Sequence, residues 1–543
     1  MAHLSEADMI KADLILTNGR VFCGLVEGYV EAVALWSGKV LATGAARDIE
    51  AFRGPDTRMI DLAGRLAAPG LYDAHMHLLP LGLAMSDLDA RPKAAPTLES
   101  LLSAIRKAAQ AKKPGEWVMA RGYDQFQLDT GRHPTRDELD EAAPDNPVYL
   151  VRTCGHISIC NSMALKLAGI DEASPVPQGG AIEQRDGRLT GLLAENARDP
   201  VKAVIPDPTD EDLVAAIERA GEYCLSLGIT SVMDAGVGMR SGWREIVAYR
   251  EAQRTKRLPV RTYQCLLGGP GGIVERAHED GVRSGVGDDM LMVGCVKIFT
   301  DGSAGGRTAA MTEDYLGEPA TKGLFMLKDE EMDAFTRTYH DMGYQLAVHA
   351  IGDAAIEQTL IAMEKALEAS PDPDRRHRIE HCGFIRPDQI ERMAKLGIEP
   401  APQPVFIYDF GDLYVNVLGA DRPAVSYPMR AWIDHGLKPS ASTDAPVCDA
   451  DPFPNLFSMV TRKTKAGNVI GGQEVLSVEE ALAAYTEWAA YACRSENHRG
   501  RLVPGMAADI AVFSRDFTTE APEMIIETRC DMTIRGGEIV FEA

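Results

Sequence analysis

A chain of 543 residues is too long for one small core and calls for several domains. Its 45% hydrophobic and 25% charged residues are the composition of an ordinary soluble globular protein. A formal charge of −24 speaks against nucleic acid or an anionic membrane surface as a standing partner.

The segment Met1 to Asp8 has no basic or apolar region of the kind a secretory signal carries, so none is expected. No run of eighteen apolar residues occurs, so no transmembrane helix is expected either. The ten cysteines are scattered, with no Cys-x-x-Cys pair, and read as reduced core residues of a cytoplasmic protein. Residues Ala12 to Phe22 alternate apolar and polar around Asn18-Gly19, and Glu31–Leu35 and Lys39–Gly44 continue the style; these predict short antiparallel strands. The C-terminal segments Asp509–Phe513, Met532–Gly537 and Glu538–Phe541 repeat it. Both ends being β-rich predicts one small β-sandwich domain assembled from residues 1–69 and 495–543.

Between them, over 70–494, strands alternate with helices. Strand candidates end at His75/His77, Asp234, Leu266, Ile298, His349, His381, Pro402 and Asp444, the seventh weakened by its prolines. Helices are expected from Asp353 to Ala369 and from Ser477 to Tyr491, the latter opened by a Ser477/Glu480 capping box. Eight such units predict an α/β fold of the closed (β/α)8 barrel type. The stretch from about 80 to 227 is too long for one crossover and is expected to form an inserted subdomain after the first strand. In it, His133-Pro134-Thr135-Arg136 fits a loop running into a helix.

In such a barrel, catalytic groups sit at the C-terminal ends of the strands. The polar residues there are His75, His77, Lys297, His349, His381 and Asp444. The pair His75-Met76-His77 projects two imidazoles from one strand after an apolar run. Buried imidazoles need a use for their lone pairs, and a metal supplies one. Four imidazoles and a carboxylate suit one or two zinc-like divalent ions. Lys297 is the odd member, because an ammonium repels a cation. Either it points away, or its amine has been converted into an anion, as carboxylation by carbon dioxide would do.

Taken together and in order, several stretches resemble the amidohydrolase superfamily, most closely its amidohydrolase-3 branch, which includes N-substituted formamide deformylases. They are Pro69-Gly70-Leu71-Tyr72-Asp73-Ala74-His75-Met76-His77, Val296-Lys297-Ile298-Phe299-Thr300-Asp301-Gly302-Ser303, His349-Ala350-Ile351-Gly352-Asp353, Arg378-Ile379-Glu380-His381, Ser442-Thr443-Asp444-Ala445-Pro446-Val447 and Pro504-Gly505-Met506-Ala507-Ala508-Asp509-Ile510. The resemblance implies two metal ions, His75 and His77 holding the more buried and His349 with His381 the more exposed. A carboxylated Lys297 would bridge them and Asp444 would touch the bridging water. This branch is less uniform in metal count than its relatives, so the resemblance also admits a single-ion site with an unmodified Lys297. The implied reaction is hydrolysis of a C–N bond of a small molecule by metal-activated hydroxide, Asp444 taking the proton and returning it to the leaving nitrogen.

Within the insertion, Arg121-Gly122-Tyr123-Asp124-Gln125 and Gly155-His156-Ile157-Ser158 resemble family stretches near the barrel mouth. They make His156 a candidate to polarise the scissile carbonyl, or else a buried structural histidine, and Tyr123 and Asp124 candidates for substrate contact. Asp301, four residues beyond Lys297, either lines the site or caps its turn. His278, His340 and His377 lack a strand-end position and read as surface or packing residues. The acidic cluster Asp449-Ala450-Asp451 reads as a solvated face. Two other functions fit the same scaffold: a hydrolase of a lactone or other ester, and a regulatory homologue without catalysis. The second is disfavoured because all six positions are filled. A homodimer is expected from size and class.

Overall fold

The computed structural model describes residues 10–152, 157–177, 180–317, 320–372 and 374–543. The chain forms two compact units, Met1–Leu81 with Ile217–Ala543, and Gly82–Ala216. Among the described residues no helix is long and apolar enough to cross a membrane.

In the first unit, the N-terminal segment contributes to two sheets and the C-terminal segment to one of them. A four-stranded sheet runs in the order Lys39–Gly44, Ala32–Trp36, Leu14–Thr17, Arg58–Asp61. A six-stranded sheet runs Glu538–Glu542, Cys530–Arg535, Ile510–Phe513, Leu66–Pro69, Arg20–Gly24, Gly28–Val30. Alternating apolar residues of both, among them Leu14, Leu16, Val21, Val33, Ile510, Val512 and Ile534, bury in one cluster. One expectation is corrected here. Asn18 takes a left-handed φ of 59°, but the turn makes no hairpin. The strand before it pairs with Ala32–Trp36, whereas the strand after it pairs with Gly28–Val30 and Leu66–Pro69. The Asn-Gly turn sends the chain from one sheet to the other.

Leu66–Pro69 pairs with Ile510–Phe513, and Gly70 then passes the chain into the barrel. A Cβ at Gly70 would lie 2.4 Å from Thr230 Oγ1, so only glycine fits. The barrel strands are β1 (Leu71–Met76), β2 (Ile229–Val237), β3 (Arg261–Leu267), β4 (Leu291–Phe299), β5 (Gln345–Ala350), β6 (Arg378–His381) and β7 (Glu399–Ala401), consecutive and parallel. Inward residues Tyr72, Ala74, Met233, Ala235, Tyr263, Cys265, Cys295 and Ala347 plug the interior with Ala489, Ala490 and Cys493.

The expected eighth strand is not a regular strand. Residues 440–445 nevertheless bridge the gap between β7 and β1: Ser440 N donates to Pro400 O, Ala74 N to Ala441 O, Asp444 N to His75 O and His77 N to Ala445 O. Ladder contacts therefore run on both sides of the segment, but its residues also bend to present Asp444, whose φ is 57°. The expected helix 477–491 is likewise broken. The Ser477/Glu480 capping box opens Val478–Ala484, and a second helix, Glu487–Ala492, follows after Thr486, whose φ of −131° and ψ of −90° are not helical. The helix Asp353–Ala369 forms with the expected bounds.

The second unit holds a six-stranded sheet in the order Gly180–Arg185, Arg188–Glu195, Ile157–Cys160, Val148–Arg152, Val118–Tyr123, Leu88–Asp89. Helix Leu98–Gln110 packs Leu101 and Ile105 into a core with Val118, Leu139, Val148 and Ile159. Thr135 caps Arg136–Ala142 with a Thr135/Glu138 box, so the loop does run into a helix.

Candidate metal centre

His75 sits one residue from the end of β1, where the pairing register with β2 slips between Asp73 and Met76. Such a slip re-aims side chains. Its ring lies 5.7 Å from that of His77 and 4.8 Å from that of His381, centroid to centroid. His381 ends β6. On a regular strand it would face away from Glu380, but its φ of 65° breaks the pleat and brings it into the same interior. Cys382 (φ 50°) and Asp444 (φ 57°) are also left-handed, so non-glycine strain clusters at this spot.

One ligand atom each from His75, His381 and Asp444 lie within 4.8 Å of one another, and all three residues are buried. Asp444 Oδ1 is 3.4 Å from His75 Nε2 and 3.3 Å from His77 Nε2. That oxygen and His77 Nδ1 are both buried with no hydrogen-bond partner. Burial pushes the Asp444 carboxyl up, but its contacts with His75 and His77 outweigh this and hold it well below the usual carboxylate range. Burial pushes His381 well below the usual imidazole range, aided by His349, and lowers His75, aided by Lys297. Both imidazoles are therefore neutral and able to bind a cation. Converging lone pairs, with two buried polar atoms among them left without a partner, suit a divalent cation.

Lys297, fully buried on β4, points into the cluster with Nζ 3.4 Å from His75 Nε2 and 4.8 Å from the Phe299 ring. Burial lowers its pKa, against the pull of Glu380 and Asp444. His349 lies beside the cluster, 4.3 Å from the His381 ring, but its Nε2 faces Gly302 O at 3.2 Å and Asp301 Oδ1 at 3.4 Å. Asp301 itself accepts from the backbone N–H groups of Ile351, Gly352 and Ala310 at 2.9–3.0 Å. It thus pins the turns after β4 and β5 as well as touching His349. The expected pairing of His75 with His77 and of His349 with His381 differs from this grouping, which draws one histidine from each pair.

Sequence reasoning missed the groups behind the ligands. Buried Glu380 bonds His75 Nδ1. Arg378 Nε and Nη2 donate to the two Glu380 oxygens at 2.7 and 3.0 Å, and Nη2 also to Ala74 O at 2.8 Å. Behind His381, Gln403 Oε1 lies 2.6 Å from Nδ1, while Gln403 Nε2 donates to Ala401 O and Ser442 Oγ. Asp73 anchors the eighth segment by accepting from Thr443 N and Oγ1, and burial raises its pKa to about 7. Asp73, Arg378 and Glu380 fall within the stretches that resemble the family, but nothing in those stretches beyond charge inside apolar strands marks them as partners of the ligands.

His156 lies outside the described residues. In the second unit, Tyr123 is buried with its hydroxyl 2.9 Å from His133 Nδ1. Asp124 accepts from Gln127 Nε2 at 3.0 Å and from Arg152 at 3.4 Å. His340 and His377 are buried and paired, as packing residues. Asp451 is not simply a solvated acid: it caps the helix Pro452–Thr461 by accepting from Phe453 N.

The model of the amidohydrolase family matches residues 58–541. The Arabidopsis thaliana protein LONG AFTER FAR-RED 3 is 31% identical over 93% of this chain and 88% of its own. The N-substituted formamide deformylase of Arthrobacter pascens is 29% identical over 100% of this chain and 99% of its own. Among solved structures, an uncharacterized metal-dependent hydrolase from Pyrococcus horikoshii OT3 superposes with a TM-score of 0.76 at 28% identity, covering 94% of this chain and 99% of that one.

Proposed function

The chain belongs to the amidohydrolase family, and we propose that it hydrolyses a C–N bond of a small molecule, an amide or formamide, at a divalent metal centre. The observation that carries the reading is the convergence of His75, His381 and Asp444 ligand atoms within 4.8 Å, with an orphaned carboxylate oxygen among them. His77, Lys297 and His349 complete the ligand set. A zinc-like ion there supplies Lewis acidity, polarising a carbonyl and making water nucleophilic near neutral pH.

This chain's own residues do the rest. Asp444, held ionised, takes a proton from the attacking water and delivers it to the departing nitrogen. Lys297, its ammonium form disfavoured by burial, would be the amine that adds carbon dioxide and gives up a proton to water, leaving an anionic carbamate able to help hold a divalent ion. His156 would polarise the scissile carbonyl, and Tyr123 and Asp124 would contact the substrate. We read the terminal sheets as one composite β domain, residues 70–494 as the catalytic barrel, and 80–227 as its insertion. The N-substituted formamide deformylase relative supports the amide or formamide class over a lactone. The acidic, cysteine-scattered sequence supports a cytoplasmic enzyme, taken to be a homodimer.

The test is metal per chain on protein purified without chelator, for the wild type and Lys297→Ala, with hydrolysis assayed on formamides, amides and lactones. Two ions, at least one lost in the variant, support a carboxylated Lys297. One ion that survives leaves a mononuclear centre. No ion after supplementation with zinc overturns the proposal.

A further inference from the structure

An ion pair buried inside a barrel is a costly way to join two strands. Removing two charges from water costs several kcal/mol per ion even after relaxation, and apolar side chains of the same volume commonly do as well or better (order of magnitude). Arg378 and Glu380 are such a pair, both at 0% exposure. They stand at i and i+2 on β6 and so share a face. Both carboxylate oxygens are occupied by the guanidinium at 2.7 and 3.0 Å, and one of them also takes His75 Nδ1. Two hydrogen bonds from a permanently charged guanidinium occupy both oxygens of Glu380, so the group stands there as a carboxylate and can only accept.

An acceptor-only partner decides which ring nitrogen of His75 carries the proton. Nδ1 must donate, which leaves the lone pair on Nε2. That nitrogen is the one 3.4 Å from both Asp444 Oδ1 and Lys297 Nζ. Arg378 in turn is fixed by Ala74 O at 2.8 Å, the backbone group next to His75, and by Cys493 Sγ at 3.4 Å. A flip of the imidazole would turn Nε2 away from the cluster and break the contact to Glu380.

We propose that Arg378 and Glu380 are positioning residues for His75, locking it in the Nδ1–H form with Nε2 aimed at the metal position. The proposal rests on reading the cluster as a metal centre. Metal-ligating histidines are commonly backed by a carboxylate in this way, and loss of the partner typically costs about 10–100-fold in metal affinity. A pair that merely stitched β6 to β1 would affect stability and leave the histidine's tautomer and affinity alone.

The experiment uses the full chain, stripped of metal and titrated with Zn2+ against a chromophoric chelator, for the wild type, Glu380→Gln and Arg378→Met. Alongside it, 15N-histidine NMR of the stripped wild type reads the His75 tautomer, assigned through a His75→Gln variant. The expected result is an Nδ1–H resonance pattern for His75 in the wild type and a Zn2+ affinity about 10–100-fold weaker in Glu380→Gln. An Nε2–H tautomer in the wild type overturns the proposal even if neither variant folds. So does unchanged Zn2+ affinity in a folded Glu380→Gln. A wild type that takes up no Zn2+ overturns the metal reading beneath it, and is distinct from both.

Discussion

Asp444 concentrates several demands on one residue: a left-handed backbone, a buried carboxylate and an oxygen without a donor. Strain of this kind persists only where the surroundings over-determine it. Here Asp444 N donates to His75 O at 2.8 Å, while Asp73 holds the neighbouring Thr443. Replacing Asp444 by asparagine keeps the shape and removes both the charge and the proton acceptor. The expected outcome is a fall in kcat of about 10²–10⁴, with the melting temperature unchanged or raised because a buried charge has gone. A kcat within a factor of a few of wild type would remove Asp444 from proton transfer. The site's own histidines were legible because each lies at a strand end, where a barrel places its chemistry. Glu380, Arg378 and Gln403 were not. A charged residue on a short strand reads as solvent-facing, and nothing local tells that Glu380 will meet His75, 305 positions away.

At the scale of elements, legibility followed regularity. The helix Asp353–Ala369 carries a long apolar pattern and forms with the expected bounds, and strands β1 to β6 stand where expected, although the four-residue β6 has a single apolar residue. The eighth segment fails as a strand because its hydrogen bonds go to β1, β7 and the turn at Ala484 at once. No window of residues encodes such a three-way partnership. The connection between helix Asp329–Asp341 and β6 offers a pH prediction. His377 Nδ1 accepts from Leu346 N at 3.0 Å, so its Nε2–H faces His340 Nδ1 at 2.9 Å, and His340 Nε2 donates to Ser370 O at 2.7 Å. Burial, then His340 and Arg375, push His377 well below its ordinary value. Its folded pKa is therefore depressed, and the unfolded chain binds the extra proton first. Stability is full above about pH 6.5 and declines as pH falls below it, by up to about 1.4 kcal/mol per pH unit for this one group. His377→Asn keeps an acceptor for Leu346 N but cannot titrate. Urea midpoints at pH 7 and 5.5 are expected to differ less in the variant than in the wild type; an equal difference would assign the acid sensitivity elsewhere.

The whole molecule raises the question of how one chain holds two cores. The second unit begins in the helix Leu78–Ala84 and ends in the helix Asp210–Ser226. Its two ends touch: a Cβ at Gly82 would lie 1.9 Å from Ala216 O. Adjacent ends are what allow a compact unit to be inserted into another without disturbing the host's path. The unit also owns its hydrophobic core, with Leu101, Ile105, Tyr123, Leu139, Val148 and Ile159 all buried against one another. These two properties together predict that residues 82–216 fold alone. Expressed as a fragment, they are expected to unfold in urea in a single cooperative transition, with a stability of the order of 5–15 kcal/mol. A gradual, non-cooperative loss of ellipticity would show that the unit depends on the rest of the chain. Gly82→Ala supplies the complementary measurement. Backbone at 1.9 Å cannot yield as a flexible side chain would, so overpacking of about 1–3 kcal/mol is expected in the full chain and in the fragment alike. Equal losses in both would place the contact inside the second unit's own folding; a loss confined to the full chain would make the closure of its ends a property of the host.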